Sequence, residues 1–231
     1  MDRLLPYDAA LAAVDDYVAR VKATVARQVS RDGRVDADLV TRHQASAHGF
    51  AWVATYAAGL RALLGWARAL EARRPLAEVE ALILATGFAE YVAQIAGGLP
   101  MSQAEMVRPA DFGLDAEAGE LRTRCADLIA AGDPARICAL LQDGAAPDRA
   151  FDDELLEMMA DQFRRFVDQL VAPHAHGWHL RNEYIPLDVV EEMARLGVFG
   201  LTVPEEFGGS GLGKLAMCLV SEELSRGYIG V

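Results

Sequence analysis

Cysteine is scarce in this chain of 231 residues: the three present, Cys125, Cys138 and Cys218, form no CxxC pair and are odd in number. A disulfide framework and a thiolate zinc site are thereby disfavoured, and the thiols read as small apolar packing groups of a protein kept reduced in the cytoplasm. Positive charge is in deficit too, with 22 Lys and Arg against 34 Asp and Glu, a formal net charge of −12, and no basic run offsets it locally. Such a balance repels phosphate backbones and anionic headgroups, which argues against nucleic acid and against a membrane surface as partners. Long apolar runs are missing. The most apolar stretch, Ala81 to Leu99, is interrupted by Glu90 and Gln94 and ends in Gly97-Gly98, whereas a spanning helix needs about 20 apolar residues, so it reads as a buried helix. The opening MDRLLPYDAALAAVDD holds acidic residues and a proline where an export signal would start basic and continue apolar, and no such signal is expected. Alternation with period two is also absent, and helical periodicity covers nearly every segment.

The expected fold class is therefore all-α. Leu11, Val14, Val18, Val21, Val25 and Val29 recur at spacings of three and four behind Pro6, which predicts a helix of about seven turns with a valine stripe. A second helix is expected from Asp36 to Leu70, broken by Arg73-Arg74-Pro75, and a third from Pro75 to Gly97-Gly98. Ser102-Gln103-Ala104-Glu105 has capping-box spacing and predicts a short helix that Pro109 closes. Another helix should cover Ala116 to Ala131, after which Gly132-Asp133-Pro134 supplies stop, cap and first turn of a helix running to Gln142. The segment from Gly144 to Arg149 has no large apolar residue and breaks periodicity on both sides, so a boundary is placed there, dividing residues 1–145 from 146–231. Beyond it, Leu155, Met159, Phe163, Phe166 and Leu170 mark a helix ended by Pro173. Pro186 begins one that Gly197 terminates, and a last helix runs from Lys214 to Arg226.

Several constellations suggest chemistry and do not complete it. Gly208 to Lys214 fits the G-x-x-x-x-G-K part of a phosphate-binding loop but has Leu215 where a magnesium-binding hydroxyl belongs, with Glu205 and Glu206 nearby, so it reads as a turn needing permissive glycines. His174, His176 and His179 cluster in PHAHGWH without a cysteine and read as surface histidines on a connector, so no metal is assigned. His43 and His48, five residues apart, point to different faces of a helix. Asp152, Asp153, Glu154 and Glu157 suit the positive end of a helix dipole, and Glu222 with Arg226 has the order of a surface i,i+4 pair. No residue is assigned as a catalytic base.

The C-terminal third does carry a recognisable pattern. The run RLGVFGLTVPEEFGGSGLG followed by EELSRG, within about Phe151 to Val231, resembles the start of the N-terminal helical domain of the acyl-CoA dehydrogenase family. That resemblance implies an FAD enzyme in which a glutamate takes the α-proton of an acyl-CoA thioester while the β-hydride passes to the flavin, with electron-transfer flavoprotein as reoxidant and a homodimer or homotetramer as the assembly. In that family the flavin β-domain and the helical bundle bearing the glutamate follow the matched segment, and neither is within this chain. The resemblance further implies that the helix ending in EELSRG leads into the wall of the acyl pocket, which makes Tyr228 and Val231 the nearest candidates for substrate contact, with packing between helices as the alternative role for both. Residues 1–145, with RHQASAHGFAWVATYAAGLR and GFAEYVAQIAGGLPMSQAEMVRPADFG, resemble the extension of an enlarged branch of the family. That likeness implies oxidation of (2S)-methylsuccinyl-CoA to mesaconyl-CoA in the ethylmalonyl-CoA route. Another extended dehydrogenase for a branched or dicarboxylic acyl-CoA, and a non-catalytic helical interaction module, stay open.

Overall fold

The valine stripe dictates the first element. In the computed structural model, which describes residues 3–151 and 153–231, α1 runs over Leu5–Val29 with Pro6 in its first turn, where a missing N–H costs nothing. Val14 and Val21 are fully buried and Val25 and Val29 nearly so, each stabilising the fold by about 1.5 kcal/mol or more. They pack on Val53, Ala57, Leu60 and Leu64 of α3 (Gln44–Glu71) and on Leu84, Phe88 and Val92 of α4 (Glu78–Gly97). The stripe thus finds its partner inside one compact unit, Met1–Ala150. By length and composition α4 could also cross a membrane, but half of its apolar window is buried in the unit and Glu80 in its first turn is fully enclosed.

Four local expectations change in this unit. The helix expected from Asp36 to Leu70 is two, α2 (Ala37–Arg42) and α3, because His43 leaves helical dihedrals. The ladder still runs through the break, His43 N–H donating to Leu39 O and its own carbonyl accepting from Ala47. Cys125 interrupts the next helix in the same way, giving α5 (Asp115–Arg124) and α6 (Ala126–Ile129). Ser102 to Glu105 does not start a helix. It is the turn of a hairpin pairing β3 (Leu99–Pro100) with β4 (Met106–Val107), since Pro109 leaves too few residues for a helix and the amides of Met101 and Ser102 both reach Glu105 O. A second hairpin, β1 (Ser30–Arg31) with β2 (Arg34–Val35), turns at Asp32 and Gly33, both at positive φ, the dihedrals an Asp-Gly turn adopts. By contrast α7 (Pro134–Gln142) begins as its three-residue signal requires, Asp133 accepting from Arg136 N at 2.9 Å.

The second unit, Phe151–Val231, opens with α8 (Glu154–Phe166), capped by Asp153, whose side chain accepts from Leu155 N; Asp152 lies outside the described residues. Pro173 does not end this helix. Residues Val167–Val171 widen into a π turn, and α9 (Ala172–Arg181) continues with Pro173 in its first turn. A proline there displaces the carbonyl four residues back, and the extra residue of a π turn absorbs that displacement. His174, His176 and His179 are consequently exposed residues of a helix, not of a connector. α10 (Leu187–Arg195) buries Val189 and Met193, Gly197 at φ +80° stops it, and α11 (Gly213–Gly227) closes the unit. Phe163, Phe166, Val167, Val171 and Trp178 form its core with Ala216, Leu219, Val220 and Leu224. Helices dominate both units, and two hairpins of two-residue strands are the sheet pairings among the described residues.

Candidate functional site

The glycine-rich segment shows first what this chain does not build. Gly208, Gly211 and Gly213 adopt positive φ. The amides that a phosphate would need are instead spent internally, Ser210 N–H on Gly200 O, Gly211 N–H on Val203 O and Leu212 N–H on Leu201 O, at 2.8–2.9 Å. A Cβ on Gly209 would lie 2.1 Å from Val203 O, so only glycine lets the two backbones meet. The loop is a structural turn and provides no diphosphate cradle.

A denser arrangement surrounds the π turn. Glu223, about one turn before the end of α11, is fully buried. Its Oε1 accepts from Arg164 Nη2 of α8 at 2.9 Å and its Oε2 from Arg226 Nε at 3.0 Å. Arg226 then reaches across to Asp168 of the π turn, Nη2 to Oδ1 at 2.8 Å. The bond to Asp168, followed by that to Glu223, pushes the Arg226 guanidinium above its ordinary pKa. The carboxylate beside Arg226 is thus a buried clasp joining α8, the π turn and α11, where the sequence suggested a solvated surface pair with Glu222.

Tyr228 and Val231 lie directly after this clasp. Gly227 rests on the π turn, where an added Cβ would stand 2.3 Å from Val167 Cγ1. Tyr228 then leaves the helix in an extended conformation, its ring half-buried 6.2 Å from that of Trp178 and inclined by 54°. Val231 N–H donates to Tyr228 O at 3.0 Å, which places the two side chains on one short turn, while Ile229 between them is 83% exposed. Trp178 also lines an open cleft of about 320 Å³, together with Leu170, His174, Pro186, Asp188 and Val189. His174 lies against Trp178 with ring centroids 5.9 Å apart.

Other residues singled out by type are dispersed. Among the described residues no three His, Cys, Asp or Glu side chains gather as a metal site. His48 accepts at Nε2 from Trp52 Nε1 at 3.0 Å, so Nδ1 carries its proton and faces Glu105 at 4.0 Å. Cys125 is buried, as expected for a packing thiol, but Cys138 and Cys218 are exposed. What the sequence reading missed is the role of Arg164, Asp168 and Glu223. Arg164 and Asp168 are four residues apart and Glu223 and Arg226 three, but nothing in the sequence says that these two pairs face each other.

Residues 153–231 match the family model described as acyl-CoA dehydrogenase, N-terminal domain. In sequence, this segment is similar to that domain of the acyl-CoA dehydrogenases. The chain as a whole is similar to (2S)-methylsuccinyl-CoA dehydrogenase of Cereibacter sphaeroides, with 49% identity over 96% of this chain and 41% of that protein. Two further relatives, glutaryl-CoA dehydrogenase of Desulfococcus multivorans (39% identity) and benzylmalonyl-CoA dehydrogenase of Aromatoleum aromaticum (40%), each match 31% of this chain and 19% of their own length. The chain therefore spans about two fifths of the relative it matches throughout.

Proposed function

We propose that this chain is the N-terminal portion of an FAD-dependent acyl-CoA dehydrogenase that oxidises (2S)-methylsuccinyl-CoA to mesaconyl-CoA in the ethylmalonyl-CoA pathway. The observation that supports this reading best is the reach of the similarity: the Cereibacter relative matches 96% of the chain, whereas the two other relatives match 31%. On this reading residues 1–145 are a helical extension and residues 146–231 the beginning of the dehydrogenase's helical domain. The protein works in the cytoplasm as a homodimer or homotetramer and passes its electrons to electron-transfer flavoprotein.

The contribution of this chain to the reaction is shape. Tyr228 and Val231, joined by one turn, form part of the wall against which the acyl group rests, and the buried Glu223 clasp keeps that wall in place. FAD supplies the hydride acceptor when bound. The glycine-rich loop spends its amides internally, and no flavin contact is assigned to residues of this chain. The second carboxylate of methylsuccinyl-CoA calls for a cationic or hydrogen-bonding group at the far end of the pocket, and none of the described residues is assigned to it.

The test is an anaerobic titration of the full-length protein followed by its flavin absorbance. Methylsuccinyl-CoA should bleach the flavin faster than glutaryl-CoA, isovaleryl-CoA or benzylmalonyl-CoA. Bleaching by one of those compounds alone would keep the reaction class and reject the substrate. A full-length protein that binds no flavin would reject both.

A further inference from the structure

The seat of Tyr228 is fixed from both sides by one element, the π turn at Val167–Val171. On one side, Asp168 in the turn holds Arg226 in the last turn of α11 at 2.8 Å, and Gly227 packs on Val167 so closely that a methyl group would not fit. On the other side, the turn sets the rotation of α9. An extra residue in a helix rotates everything after it by about 100°, because each residue accounts for that angle. It therefore decides that Trp178, 6% exposed, faces Tyr228. Arg164 and Arg226 hold Glu223 fully buried one turn earlier, so the backbone entering Tyr228 is tied at residues 223, 226 and 227. A helix end that only packed against α8 would not need a charged tether from a widened turn.

We infer that the π turn, through Asp168 and Arg226, is a positioning element that sets where Tyr228 meets the acyl group and so tunes affinity for the acyl-CoA. The inference rests on the reading that Tyr228 lines the substrate pocket. Asp168 and Arg226 are both about half exposed, and exposed pairs add little to stability. Loss of the tether should therefore appear in substrate binding and leave the melting temperature almost unchanged.

The variants are Asp168→Asn, which keeps the shape and removes the charge, and Asp168→Glu, which restores it. In the full-length flavoprotein, Asp168→Asn should raise KM for methylsuccinyl-CoA about fivefold with kcat within about twofold, and Asp168→Glu should recover most of the loss. A second readout needs no substrate. With Trp52 and Trp66 changed to Phe, Trp178 is the one tryptophan left of three in the 231-residue chain, and Asp168→Asn should make its fluorescence more accessible to acrylamide as Tyr228 moves away. More quenching with unchanged KM in an active enzyme would overturn the role in substrate affinity. Unchanged quenching, or a lower melting temperature with KM unaltered, would overturn the positioning itself. If the wild-type protein fails to respond to any acyl-CoA while Asp168→Asn still exposes Trp178, the functional reading fails and the geometric one stands.

Discussion

Glu80 is the buried charge on which the Met1–Ala150 unit closes, and replacing it by glutamine gives a sharp prediction. Its carboxylate accepts from Arg74 Nη1 and Ala77 N on Oε2 and from Arg74 Nη2 and Asp148 N on Oε1, at 2.8–3.0 Å. Through that last bond, and through Trp66 Nε1 donating to Asp148 O at 2.8 Å, it pins the segment that looks like a free linker in the sequence. An amide has one acceptor and one donor end, so in either orientation two of the four N–H groups face an NH₂. Two bonds to a charged group are lost, at about 1.5–3 kcal/mol each. Arg74 is 41% exposed and can rehydrate, which brings the expected cost to about 3 kcal/mol, or a melting temperature lower by about 6–12 °C for a unit of this size. The Arg74 guanidinium holds the Glu80 carboxyl down at about 2, below its ordinary 4.5. The carboxylate therefore contributes stability that is complete above about pH 4.5 and is lost as the pH falls towards 2. Calorimetry of the 231-residue chain and its Glu80→Gln variant should show the gap at neutral pH and its disappearance near pH 2. A gap under about 1 kcal/mol at pH 7, or one that persists in acid, would refute the reasoning.

Other outcomes follow from single contacts. Adding a methyl group at Gly209 drives it against the Val203 carbonyl, 2.1 Å away on rigid backbone. In a chain with Trp52 and Trp66 changed to Phe, so that Trp178 alone reports, Gly209→Ala should cost about 1–3 kcal/mol in urea unfolding followed by fluorescence, and an unchanged midpoint would contradict the close approach. Gly49→Ala should loosen the hairpin at Leu99–Val107, because its Cβ would lie 2.6 Å from Val107 Cγ2; faster amide exchange at Leu99 and Val107 is the measurement. Cys138 and Cys218 are exposed, whereas Cys125 is buried and its thiol is pushed up by burial. A disulfide reagent should therefore titrate two thiols in the folded chain and the third only after denaturation.

Much of the helical scaffold was legible because its signals are local. The valines of α1, the Gly-Asp-Pro start of α7 and the Pro186 and Gly197 limits of α10 each act within a few residues. The hairpins were less visible. Asp32-Gly33 is a turn signal by itself, but the two-residue strands beside it have no room for alternation, and Ser102 to Glu105 carries a helix-start pattern that Pro109 leaves no length to use. The π turn illustrates a different limit. A proline three residues after Leu170, the last position of the apolar stripe, reads as a stop, but the widened turn absorbs the carbonyl that Pro173 displaces and lets the helix continue. The clasp at Glu223 was hidden for a related reason, since a glutamate surrounded by helix-forming residues looks solvated until two arginines are found pointing at it. That Tyr228 faces the substrate is our proposal, drawn from family resemblance, and the structure adds the residues that hold its side chain against Trp178.

The most direct test of the central claim is the identity of the product. Full-length protein, incubated with (2S)-methylsuccinyl-CoA and electron-transfer flavoprotein, should yield a thioester two hydrogen atoms lighter that co-migrates with mesaconyl-CoA in liquid chromatography and mass spectrometry. Recovery of methylsuccinyl-CoA unchanged, under conditions in which the same enzyme dehydrogenates another acyl-CoA, would contradict the account.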